Sequence, residues 1–145
     1  MSAANKLRII VIDDDPSILA LLKNMLASLG HHVLAFPDPT ACPVYKKPEC
    51  QCPQEFPCAD VVIADIMMPN MTGIDFFRLM RRRGCKALDA NKALMSAATT
   101  PDQRDAVAEL GCHFIRKPFK VAEVTKWLTE CADRLPEGRI LAKLG

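Results

Sequence analysis

Three aspartates, a serine and a lysine stand at the ends of apolar runs in this chain, and their side chains complement one another. Asp13 and Asp14 follow the run at residues 7–12, and Asp65 closes the run at 60–65. Ser96 lies near the end of 92–97, and Lys117 follows 112–116. Each has a plain reading taken singly: helix-capping carboxylates, a turn serine, a lysine at a strand end. Together they make a set. Carboxylates crowded into one site repel, so three of them call for a cation, and an all-oxygen ligand set suits Mg²⁺. Mg²⁺ keeps several waters and shares its shell with phosphate oxygens. A lysine offers compact positive charge to phosphoryl oxygens, and a hydroxyl donates one hydrogen bond. A carboxylate can be the nucleophile that becomes an aspartyl phosphate. The inventory covers each role once and points to phosphoryl chemistry.

The elements that must position these groups follow from the pattern. The stretch Val61-Val62-Ile63-Ala64-Asp65 is apolar, β-branched and of strand length, and Pro69, Asn70 and Gly73 then force a turn. Residues 7–12 read as a first strand, with Asp15 as cap and Pro16 as first residue of a helix carrying Ile18, Leu22, Met25 and Leu29. A shorter strand follows at 32–36. Helices are expected after Gly73, after Thr100-Pro101, and over Val121, Val124, Leu128, Cys131 and Leu135, with strands at 92–97 and 112–116 between them. Arg81, Arg82 and Arg83 fall in a last helical turn, where cations complement the helix dipole. Five strands alternating with helices give an α/β fold, a doubly wound five-stranded parallel sheet. Right-handed crossovers place every strand's carboxyl end on one edge, the edge where ligands bind in open sheets.

Bulk properties set the limits. The chain has 145 residues and a formal charge of +2, which fits one compact domain and gives no sign of a nucleic-acid or membrane partner. No apolar run is long enough to span a bilayer, and the first residues lack the apolar region of a signal peptide. A cytoplasmic location is expected, and the seven cysteines are then no disulfide framework.

Taken jointly, Asp13-Asp14, Asp65 followed by Met68-Pro69 and Gly73, Ser96-Ala97, and Lys117-Pro118-Phe119 resemble the receiver domain of two-component response regulators, of the single-domain chemotaxis type. The resemblance covers nearly the whole chain. It implies a flavodoxin-like sheet in the order 2-1-3-4-5 and phosphotransfer from a sensor histidine kinase to Asp65. It implies Mg²⁺ held by Asp14, Asp65 and the backbone carbonyl of Met67, with Asp13 acting largely through water. Lys117 and Ser96 would hold the phosphoryl group, Phe114 would turn inward as Ser96 moves, and the Lys117-Pro118 bond would be cis. The fourth helix, fifth strand and fifth helix would form the face read by a downstream protein, in a monomer or a phosphorylation-dependent dimer. The family is a signalling one, with self-catalysed phosphotransfer and dephosphorylation in place of enzymatic turnover. On this reading residues 6–135 are the receiver domain and 136–145 a tail too short to fold by itself.

The chain departs from the family in two places. Residues 37–59 form a Cys/Pro-rich insertion between strands two and three, with six prolines that preclude one regular helix, although part of 39–46 has room for a short one. Cys42, Cys50, Cys52 and Cys58 fall in it; they form either a structural Zn²⁺ site or small apolar packing. Met67 and Ala98, two residues beyond Asp65 and Ser96, occupy positions that in the family help to place the hydrolytic water. Neither side chain holds a water, which implies slow loss of the phosphoryl group. Two other readings stay open: a phosphate-independent interaction module using the cysteine loop for metal or redox sensing, and a haloacid-dehalogenase-like phosphatase with Asp13 as nucleophile.

Overall fold

The computed structural model describes residues 6–144. Its centre is a five-stranded parallel sheet built from β1 (Arg8–Ile12), β2 (His32–Phe36), β3 (Val61–Asp65), β4 (Lys92–Ser96) and β5 (His113–Arg116) in the order β2-β1-β3-β4-β5. Strands covered on both faces need apolar side chains on both, and every residue of β3 and β4 is buried. Alternate side chains serve opposite faces. Ile9, Val11, Val61 and Ile63 pack against α1 (Pro16–Ser28) and α5 (Val121–Arg134), where Leu22, Leu26, Trp127 and Leu128 close one core. Ile12, Val62, Ala64 and Leu94 face α3 (Gly73–Arg82) and α4 (Pro101–Leu110) through Phe76, Phe77, Met80 and Leu110.

The helix ends form where the sequence marks them. The Asp15 carboxylate accepts from the Ser17 N–H at 2.9 Å, with Pro16 in the first turn of α1. Thr72 Oγ1 accepts from Asp75 N–H at 3.1 Å to cap α3. Thr100 and Gln103 make a reciprocal capping box on α4, and Gly111 closes that helix at φ 67°. The first, third, fourth and fifth strands are each one residue shorter than the apolar runs that announce them.

The crossover from β2 to β3 is irregular, as its prolines require. It contains one 3₁₀ turn, Pro39–Ala41, and one short helix, α2 (Pro43–Lys46), and no other helix or strand is assigned through residue 60. The segment is held to the end of α3 by one main-chain and one side-chain bond: Cys52 N–H donates to the Arg83 carbonyl at 2.7 Å, and the Arg83 side-chain Nε donates to the Pro48 carbonyl at 2.6 Å. Beyond α5 the described residues form no helix or strand, yet they dock. Arg139 grips the Asp60 carboxylate with two bonds of 2.6 Å, and Ala142 N–H donates to the Pro57 carbonyl at 2.8 Å. Among the described residues no helix is long and apolar enough to cross a membrane.

Candidate functional site

All four strand ends expected to carry chemistry meet at the carboxyl edge of the sheet. The β1–α1 turn supplies Asp13 and Asp14, β3 ends at Asp65, β4 ends at Ser96, and Lys117 follows β5 directly. Main-chain bonds lock this edge: Asp13 N–H to the Phe36 carbonyl at 3.2 Å, Ile66 N–H to Met95 at 2.9 Å, and Lys117 N–H to Ser96 at 2.9 Å. Asp13, Asp14 and Asp65 each present an oxygen within 4.8 Å of the others. Among the described residues no other group of three or more carboxylate, imidazole or thiol ligands comes so close. The set the sequence left open at Cys42, Cys50, Cys52 and Cys58 is therefore not assembled as a ligand cage.

The three carboxylates have different surroundings, and this separates what they can do. Asp13 is fully buried, with Oδ1 accepting from the Asp15 N–H at 2.9 Å and Oδ2 from the Lys117 ammonium at 2.9 Å. Both of its oxygens are engaged, so it acts as a fixed charge and makes a poor nucleophile. Asp14 is exposed and faces the solvent side of the cluster. Asp65 is 6% exposed, and its Oδ1 lies 3.3 Å from Lys117 Nζ. Burial, reinforced by the Asp13 charge, pushes the Asp65 carboxyl above its usual range, against the pull of Lys117. For Lys117 burial works against the charged form, but the hydrogen bond and charge of Asp13 and the charge of Asp65 outweigh it, and its ammonium is held above its usual range. One ammonium, paired with Asp13 and Asp65, stands against a cluster of three carboxylates and leaves the site negative. The donor set of hard oxygens, one of them open to water, fits a dication such as Mg²⁺.

The remaining expected residues fall around this cluster. Ser96 Oγ donates to the Ala98 carbonyl at 2.7 Å, so the hydroxyl is bonded within its own loop and not to a carboxylate. Phe114 is half-buried against the α3–α4 core. Met67, two residues beyond Asp65, is 63% exposed. The Lys117-Pro118 peptide bond is cis. Gly73 has a role that its place in a turn does not reveal: its N–H donates to the Ile66 carbonyl at 3.0 Å, and a methyl group there would collide with the Asp65 carbonyl oxygen and lie 2.8 Å from Leu94 Cδ2.

A flavodoxin-like parallel sheet with an acidic trio and a bridging lysine at its carboxyl edge defines a class of phosphoryl-handling signalling domains. The chain belongs to the response regulator receiver domain family, whose profile matches residues 9–129. It is 31% identical over 121 residues to the alkaline phosphatase synthesis transcriptional regulatory protein SphR of Synechococcus elongatus, and that match covers 81% of this chain and 45% of SphR. It is 29% identical over 119 residues to the two-component response regulator ORR21 of Oryza sativa, covering 81% of this chain and 16% of that protein. The chain thus spans less than half the length of these curated relatives. Among solved structures, the receiver domain of the sensor histidine kinase PA1611 of Pseudomonas aeruginosa, with magnesium coordinated in its active-site cleft, shares the fold. That likeness has a TM-score of 0.67 at 22% identity and covers 88% of this chain and 98% of that one.

Proposed function

We propose that Asp65 is the phosphoacceptor of a two-component receiver, taking a phosphoryl group from a sensor histidine kinase in a Mg²⁺-dependent reaction. The observation that carries this reading is the Lys117 ammonium seated between Asp13 Oδ2 and Asp65 Oδ1, at 2.9 and 3.3 Å. It steadies the one carboxylate of the trio that is both sheltered and free to attack. An oxygen of Asp65 bonds to phosphorus while the bond from phosphorus to the donor breaks, and the electron pair leaves with the donor. Lys117 stays on the site to balance charge on the phosphoryl oxygens, and Ser96 leaves the Ala98 carbonyl to donate to one of them.

Asp14, Asp65 and the Met67 carbonyl would hold the Mg²⁺, with Asp13 behind them. When bound, the ion compensates the acidic cluster and the incoming phosphoryl charge. Movement of Ser96 frees space for Phe114, and the α4–β5–α5 face then changes for a downstream protein partner. Phosphorylation in this way shifts an existing equilibrium. Residues 6–135 form the receiver unit, acting in the cytoplasm.

Intact-protein mass after incubation with acetyl phosphate tests the reading. The expected result is a gain of one phosphoryl group that requires Mg²⁺, is absent in Asp65→Asn, and outlasts buffer exchange because Met67 and Ala98 hold no hydrolytic water. No gain in the wild type would overturn it.

A further inference from the structure

Away from the acidic site, a cavity of about 530 Å³ opens between α2, the irregular crossover and α3, and four of its lining residues are cysteines: Cys42, Cys52, Cys58 and Cys85. We propose that these four thiols bind one zinc ion as a structural tetrathiolate site, and that this metal orders the crossover that proline keeps from being helical. The inference is independent of the phosphoacceptor reading.

The four come from separate places. Cys42 precedes α2, Cys52 and Cys58 lie in the irregular stretch, and Cys85 follows α3. Cys50, although only two residues from Cys52, is exposed and takes no part in the lining. The Cys52 N–H bond to the Arg83 carbonyl ties the crossover to the chain just before Cys85. Charge on Cys52, Cys42 or Cys85 is felt at the Cys58 thiol, which places all four in one electrostatic neighbourhood.

A second observation concerns charge. Four thiolates around Zn²⁺ leave a net negative centre that needs a cation nearby. Arg8 supplies one: its Nη1 donates to the Cys58 carbonyl at 3.0 Å, its Nε is buried with no hydrogen-bond partner, and among the described residues no carboxylate pairs with its guanidinium. Lys143 lines the same cavity. The rest of the wall is largely apolar and offers no competing oxygen cage, and an all-thiolate tetrahedral set selects zinc over the hard cations. No three of these sulfurs lie within 4.8 Å of one another, so the proposed site requires the metal to draw them together. Each ligating S–H gives its proton to solvent, and uptake therefore weakens as pH falls.

The test uses the full chain purified under reducing conditions from zinc-supplemented cells, with elemental analysis of the wild type, Cys50→Ser, Cys52→Ser and Cys85→Ser. The proposal expects about one zinc per chain in the wild type and in Cys50→Ser, and loss of zinc in Cys52→Ser and Cys85→Ser. The wild type loaded with Co²⁺ in place of zinc gives a reading that needs no variant to fold: a tetrahedral thiolate set gives sulfur-to-cobalt charge transfer and intense visible bands. Protein that is zinc-free and takes up Co²⁺ without that spectrum would overturn the site. Zinc kept in Cys85→Ser, or lost in Cys50→Ser, would overturn the ligand set.

Discussion

Lys117 matters to this site chiefly as a charge. Its ammonium is the cation between two sheltered carboxylates, and removing it leaves Asp13 and Asp65 facing each other with nothing between. Lys117→Ala is expected to lower the rate of phosphorylation by acetyl phosphate by about 10²–10³-fold, the usual cost of losing one fixed electrostatic stabiliser. A time course of intact mass checks this, and an unchanged rate would remove Lys117 from the reaction. The residues of this site were legible in the sequence because each stands where an apolar run stops, a position that a parallel sheet converts into a shared edge. Cys85 was not legible as a partner of the crossover cysteines. It follows α3, some distance from them in sequence, and only the packing of that helix's end against residues 48–52 brings it to their cavity.

At the scale of elements, the turn from β3 into α3 does more than reverse the chain. Gly73 passes so close to the Asp65 carbonyl that any side chain must push the end of β3 or Leu94 aside. Gly73→Ala is expected to destabilise the fold by about 1–3 kcal/mol, the range for overpacking a filled site, and to slow phosphorylation by displacing Asp65. Urea denaturation measures the first effect and the acetyl phosphate time course the second. The Pro-Asn-Gly signal announced a turn, but not the contact, because the contact is with the strand that the turn leaves. The crossover shows the reverse case. Its prolines excluded a regular helix correctly, and the 3₁₀ turn with one turn of α2 is what they permit.

At the scale of the whole molecule, the stretch beyond α5 is a strap across the amino-terminal edge of the sheet. The Asp60 carboxylate is almost wholly buried, accepts from the Arg8 N–H at 2.8 Å, and is neutralised by the two-pronged grip of Arg139. Arg139→Ala strands that carboxylate and is expected to cost about 2 kcal/mol, less than for a fully buried pair because Arg139 is itself 31% exposed. Arg139→Lys should restore only part of it, since an ammonium cannot reproduce the fork. Urea midpoints for the three proteins decide the point, and equal midpoints would show the strap to be ornamental. Residue periodicity could not reveal this contact, which joins positions 79 residues apart through one ion pair.

Which carboxylate carries the phosphoryl group decides the function of the site. Borohydride reduces an aspartyl phosphate to homoserine, so treating the phosphorylated protein and mapping its peptides by mass spectrometry reads the position directly. Homoserine at position 65 alone is expected. Homoserine at position 13 or 14, or none after verified phosphorylation, would contradict it.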